Sequence, residues 1–209
     1  MQPVRIIKEV WDVEARLAEL FDVPKTGMVE VALAAVGGRR DAVDDDPITA
    51  AGTFSYIFGT RALRRLFRAK AWKRNRSGGV EAVFSPDRGV KIVFQNADLA
   101  AEERRDPKAV SDKGKATERA VRMGQGNLFP EIEAEELKEA TASVWYYFVS
   151  CEGDDIRAEL SRPIAIVDGQ FLGFHERIFI VNKGDLADFN FDVDDGEPPQ
   201  EFDFEVTRK

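Results

Sequence analysis

Cysteine and histidine are nearly absent from the 209 residues, which contain one of each. Cys151 alone cannot build an intrachain disulfide framework, and one cysteine with one histidine cannot supply a Cys/His zinc site within one subunit. Any Ser-His, Cys-His or histidine–metal mechanism would have to use His175, because the chain has no other imidazole. We therefore predict no metal site and no cofactor.

Long apolar runs are absent as well. Residues 144–149 form one of the longest, far below the roughly 20 residues that a membrane helix needs. The N-terminal stretch 1–17 carries acids early and contains no unbroken apolar segment, unlike a secretory signal. A single unpaired thiol is typical of a reducing compartment. These features predict a soluble cytoplasmic protein that does not associate with membranes.

The composition is typical of a globular protein, with 44% hydrophobic and 33% charged residues. The formal net charge of −8 suggests little affinity for phosphate. The acids are concentrated, however, because residues 185–205 contain nine acids and no base. Without that segment the rest of the chain carries a formal charge of +1, so a locally basic surface remains possible.

Apolar periodicity predicts an α+β protein: a helical N-terminal part followed by a β-hairpin and a mostly antiparallel C-terminal β-meander. We expect a helix over residues 4–21 and a helical stretch over 47–72. The latter is expected to be two helices, with Gly59 as the C-cap of the first and Thr60 as the N-cap of the second. The hairpin strands are predicted over 80–84 and 90–94.

The C-terminal meander is predicted from a continuous aromatic strand over 143–151, a two-residue turn at Asp168 and Gly169, and a strand over 174–181. A last hairpin within 189–206 would turn its aromatic residues inward and its acids outward. The chain then divides into residues 1–96, a polar mobile linker with short helices over 97–141, and the meander over 142–209. The three parts could also form one continuous domain.

The clearest candidate site is the basic segment 61–76, which holds eight basic residues and no acid. Such a cluster neutralises phosphates and releases counterions, and a nearby indole can stack on a base. The alternative is a solvated helix face whose arginines pair with acids elsewhere. The candidate nucleic-acid-binding residues are Arg61, Arg64, Arg65, Arg68, Trp72, Lys73, Arg74 and Arg76.

A second candidate site involves two strands of the meander. Strand alternation places His175 and Arg177 on one face, next to a strand that carries Glu159. A pair between Glu159 and His175 would raise the pKa of the imidazole and create an acid–base dyad. The alternative is a polar cross-strand pair on an exposed sheet face.

These patterns favour a non-enzymatic binding or regulatory protein whose basic helix engages nucleic acid or another polyanion. A second hypothesis is a protein–protein interaction module that self-associates as a homo-oligomer through the basic helix and the acidic C-terminal hairpin. A third is a hydrolase-type enzyme built on Glu159, His175 and Arg177.

Overall fold

A computed structural model describes residues 4–110 and 134–187 of the chain. In these ranges, three helices pack on one face of a seven-stranded mixed sheet, which confirms the α+β class. A short 3₁₀ turn over Ser77–Gly79 also occurs. The helices and strands, in chain order, are β1 (Arg5–Ile7), α1 (Val10–Phe21), α2 (Lys25–Arg40), α3 (Ala50–Arg68), β2 (Lys73–Asn75), β3 (Ala82–Ser85), β4 (Val90–Asn96), α4 (Ala134–Thr141), β5 (Ser143–Glu152), β6 (Asp155–Val167) and β7 (Gln170–Val181).

The strands lie in the order β1-β7-β6-β5-β4-β3-β2. The hairpin β3–β4 and the antiparallel meander β5–β6–β7 are present as predicted. Asp168 and Gly169 join β6 to β7 with φ of 50° and 77°, the left-handed backbone that a tight hairpin turn requires. Two pairs of neighbouring strands are parallel, namely β4 with β5 and β1 with β7. Strands from both halves of the chain therefore share one sheet.

The helices cover one face of the sheet, and the main hydrophobic core lies between them. In α1 the buried residues recur every four positions, at Val13, Leu17 and Phe21, so one stripe of the helix faces the sheet. The hydroxyl of Tyr147 in β5 donates a hydrogen bond of 2.6 Å to the carbonyl of Met28 in α2. This buried bond fixes α2 on the centre of the sheet.

Helix α3 is one continuous helix, so the predicted division at Gly59 and Thr60 is wrong. A Cβ atom on Gly59 would lie 2.3 Å from two ring carbons of Phe94 in β4. The glycine therefore allows the helix to approach the sheet closely, and it does not end the helix. The helix ends at Arg68, before the predicted end at residue 72.

The predicted helix over 4–21 is also shorter than expected. Residues 5–7 form strand β1, and the helix begins at Val10. Strand β1 pairs in parallel with Glu176–Ile178 of β7, about 170 positions further along the chain. This partner supplies the backbone hydrogen bonds that keep residues 5–7 extended.

The opposite face of the sheet is called the open face here, and loop 97–110 crosses part of it. Ala97 and Ala109 form an antiparallel bridge that closes the loop, and Ala100 is fully buried beneath it. This part of the predicted polar linker therefore packs on the sheet. Residues 111–133 and the predicted hairpin 189–206 lie outside the described residues.

Among the helices that the structure describes, none combines the length and apolarity needed to cross a membrane.

Candidate functional site

The basic segment forms one side of a groove between α3 and β2. We call it the arginine groove, and its volume is about 410 Å³. Four of its basic residues lie on the outer side of α3, because spacings of three and four positions place helical residues on one face. The lining residues are Tyr56, Ile57, Thr60, Arg61, Arg64, Arg65, Arg68, Arg74 and Glu81.

Strand alternation decides which basic residues of β2 reach this groove. Arg74 is paired with Val83, which belongs to the core under the helices, so its side chain lies on the α3 side of the sheet. Lys73 is paired with Phe84 and therefore lies on the open face. The structure brings Arg74 into the arginine groove and separates Lys73 from it.

Glu81 is the acid in this lining. Arg64 donates a hydrogen bond to its Oε2 atom, and Arg76 lies 3.3 Å from the same oxygen at the rim. Burial would raise the pKa of Glu81, but the hydrogen bonds and charges of Arg64 and Arg76 outweigh burial and lower this pKa. Glu81 is therefore ionised at neutral pH, and its charge is shared by these two arginines.

The remaining arginines of the groove have no carboxylate partner in residues 4–110 and 134–187. The guanidinium of Arg61 lies 4.9 Å from the ring centre of Phe58, and within the described part of the chain Arg65, Arg68 and Arg74 form no ion pair. Unpaired like charges on one concave surface repel each other and attract an anion. The acids of residues 4–110 and 134–187 therefore leave most of the arginines of the groove unpaired.

Within the described residues, one buried polar atom of the groove also has no hydrogen-bond partner, namely Nε of Arg64. Buried polar atoms in proteins are nearly always hydrogen bonded, so such an exception needs an explanation. A bound oxyanion would accept a hydrogen bond from this N–H group. The groove thus combines unpaired arginines with one unused donor.

Trp72 does not take part in the groove. It is only 5% exposed, and its ring packs on that of Phe67 with centroids 4.5 Å apart. The helix has already ended, and the chain turns Trp72 into the core. The aromatic residue that lines the groove is Tyr56, which is 37% exposed. Trp72 is therefore placed to stabilise the fold and not to stack on a base.

A sequence signal for the groove exists in the four-residue spacing of Tyr56, Thr60, Arg64 and Arg68. In a continuous helix this spacing places all four on one ridge. The predicted break at Gly59 and Thr60 separated Tyr56 from the arginines and concealed the ridge.

The second candidate site has a different geometry from the one predicted. Glu159 and Arg177 are 0% and 1% exposed and form a two-pronged ion pair, with N···O distances of 2.9 and 2.6 Å. Glu159 also accepts hydrogen bonds from the Ser161 hydroxyl at 2.7 Å and from the Ala101 amide at 2.6 Å. Both carboxylate oxygens are thus fully used by neighbouring groups of the protein.

His175 does not join this cluster among the residues described. The residue is exposed overall, but its imidazole is partly covered by neighbouring atoms. This partial burial, together with the positive charge of Arg162, lowers the pKa of the imidazole. The predicted pair would have raised this pKa, so the acid–base dyad of Glu159 and His175 does not form. A register shift in the pairing of β6 with β7, just after Arg162, disturbs the regular alternation on which the prediction depended.

Arg177 holds the loop over the open face. Its Nη1 atom donates to the carbonyl of Arg105 at 3.1 Å and to Asp106 at 3.4 Å. With the Ala101 amide on Glu159, the buried pair therefore anchors loop 97–110 at both of its sides. Glu159 and Arg177 act in the packing of the fold.

Within residues 4–110 and 134–187, no group of three or more His, Cys, Asp or Glu side chains is arranged to hold a metal ion. Burial raises the pKa of the Cys151 thiol despite the nearby charges of Arg40 and Arg39. A thiol of this kind is mostly protonated at neutral pH and is a weak nucleophile.

In comparisons with known proteins, no family model, no curated protein and no solved structure matched the chain. The arginine groove is therefore the observation from which function is inferred.

Proposed function

We propose that this is a binding protein whose arginine groove holds the phosphate groups of a nucleic acid. The observation that carries the proposal is the convergence of five arginines on one concave surface where a single acid, Glu81, lies among them. Guanidinium groups stay charged at all physiological pH values and match phosphate oxygens with paired donors. A groove of this composition therefore fits a ligand that presents several phosphate groups along one strand.

Nucleic acid is favoured over other polyanions because apolar side chains lie between the charges. Tyr56 and Ile57 are partly exposed and line the same groove as the arginines. Proteins that bind single strands combine a basic groove with aromatic side chains on which bases stack. The formal net charge of −8 does not oppose this reading, because binding depends on the local field at the groove.

The first test replaces Arg65, Arg68 and Arg74 by glutamine and measures the affinity for a labelled oligonucleotide by fluorescence anisotropy between about 50 and 200 mM salt. We expect weaker binding and a slope of log K against log salt that is flatter by about two to three units, since each lost phosphate contact releases roughly 0.7 to 0.9 fewer counterions. Arg64 is kept because it is paired with Glu81.

A control variant with the same change in net charge replaces Arg5, Arg88 and Arg104, which are exposed and lie outside the groove. It should bind with nearly the wild-type affinity and slope. Equal losses in the two variants, or no binding by the wild type at low salt, would contradict the proposal. If light scattering shows a dimer that dissociates in salt and no oligonucleotide binds, self-association is favoured instead. If inorganic polyphosphate competes as strongly as an unlabelled oligonucleotide, the groove is a general polyanion site.

A further inference from the structure

A larger cavity adjoins the arginine groove. Its volume is about 700 Å³, within the range of small-molecule sites. It lies between the first turns of α3, the end of β4 and residues 79–81 before β3. Tyr56 and Glu81 line both the cavity and the groove, so the two spaces adjoin at these side chains.

The cavity exists because β3 is shorter than its neighbour β4. Pairing between the two strands stops at Ala82 and Val93, and β4 continues for three residues to Asn96. Beyond this point the chain of residues 79–81 is not paired with β4 as a strand, and a gap opens at the sheet. The amide of Asn96 donates to the carbonyl of Gly52 at 2.8 Å, which holds the start of α3 across this gap.

The walls of the cavity are mostly apolar. Val80, Val93 and Phe94 form its interior side, and Ile48 and Val110 lie at its mouth. Ile48 is fully exposed and Val110 is 69% exposed. Exposed apolar side chains gathered at the entrance of a concave site are typical of surfaces that bind a ligand.

Tyr146 adds a polar group to this apolar wall. The residue is completely buried and lines the cavity, and its hydroxyl has no hydrogen-bond partner among the residues that the structure describes. The ring itself is held by Phe171, with centroids 4.7 Å apart in an edge-to-face contact. A ligand that enters the cavity with a polar edge would supply the partner that this hydroxyl lacks.

We propose that the cavity receives an unstacked base of a single-stranded nucleic acid, while the phosphates of that strand lie in the arginine groove. This inference rests on the proposed function of the groove. A base has a flat apolar face for Val80 and Val93, which lie on the same side of the sheet as Tyr146, and a polar edge for the Tyr146 hydroxyl. The preference for a single strand follows because bases within a duplex are already stacked and paired.

Gly52 offers a way to close the cavity without disturbing the groove. It lines the cavity but not the arginine groove, and a Cβ atom added there would meet no other atom within 4 Å. A leucine at this position would extend into the cavity, and it would also favour the helix. Gly37 in α2 has equally open surroundings and lines neither space, so Gly37→Leu is the matched control.

The experiment measures the affinity of the wild type, Gly52→Leu and Gly37→Leu for two labelled strands of about 12 nucleotides. One strand carries bases, and the other is an abasic strand with the same phosphates. We expect the wild type and Gly37→Leu to bind the strand with bases about tenfold more tightly than the abasic strand. Gly52→Leu should lose most of this preference, because the cavity is filled while Tyr56 in the groove remains accessible to the bases.

The outcomes separate this inference from the proposed function. Equal affinity of the wild type for both strands, or an unchanged preference in Gly52→Leu, overturns the base site and leaves the phosphate groove intact. Absence of binding to both strands overturns the proposed function itself. If a mononucleotide competes as strongly as the strand does, the site belongs to a free nucleotide. That result would contradict the proposal that the ligand is a single-stranded nucleic acid.

Discussion

Replacement of Arg177 by methionine should lower the free energy of unfolding by about 4 kcal/mol, because it leaves the buried carboxylate of Glu159 without its counterion. Arg177 is 1% exposed and makes both N···O contacts of the pair. The Ser161 hydroxyl and the Ala101 amide would remain, but neither carries a charge. Urea-induced unfolding followed by circular dichroism measures this loss.

Two further variants show whether the effect comes from burial. Lys8 and Glu103 form an exposed pair at 2.7 Å, and Lys8→Met should leave the free energy of unfolding nearly unchanged, because water screens the two charges. The double variant Glu159→Leu with Arg177→Met should regain a large part of the lost stability, since no unpaired buried charge remains. If Arg177→Met and Lys8→Met lower the free energy of unfolding equally, the buried pair contributes no more to stability than the exposed pair.

Replacement of Gly59 by alanine should destabilise the protein by about 2 kcal/mol, although alanine is the better helix former. The new Cβ atom would lie 2.3 Å from two ring carbons of Phe94, so either the ring or the helix must move. Phe94 is fully buried between α3 and the sheet, which leaves the ring little room. Thermal and urea unfolding give the change in stability.

The same substitution at Gly52 is the matched control, because it lies in the same helix and meets no atom within 4 Å. Gly52→Ala should raise stability by about 0.5 to 1 kcal/mol. Phe94→Leu should cost less in the Gly59→Ala background than in the wild type, since it relieves the clash. Stabilisation by Gly59→Ala would show that α3 is not held against β4 at this point.

Local patterns were sufficient to predict the hairpin and the meander. Strand alternation and the Asp168–Gly169 turn are encoded within a few residues, and both agree with the structure. The position of β1 could not be predicted in this way, because its partner Glu176–Ile178 lies near the other end of the described chain. Ile6 and Ile7 also match the helical period of the residues that follow, so the local pattern favoured a helix.

The candidate site was predicted only in part, because some of its features depend on contacts between residues that are far apart in the sequence. Charge clustering indicated the arginines of α3, which the structure places on one groove. The local pattern treated Gly59 as a helix end, whereas its contact with Phe94 is made between distant parts of the chain. Trp72 is buried because the helix ends before it, and Lys73 lies on the open face because of its pairing in the sheet. Composition specifies neither the end of the helix nor the face of the sheet.

The shared sheet has a consequence for the order in which this protein is made on the ribosome. Helices α1 to α3 emerge first, but the core that they cover is built largely from β5, β6 and β7, which are synthesised later. Until those strands appear, the apolar stripes of the helices have little to pack against, and β1 has no partner at all in the sheet. Productive folding must therefore wait for most of the chain, and until then the apolar stripes of the helices stay exposed to solvent.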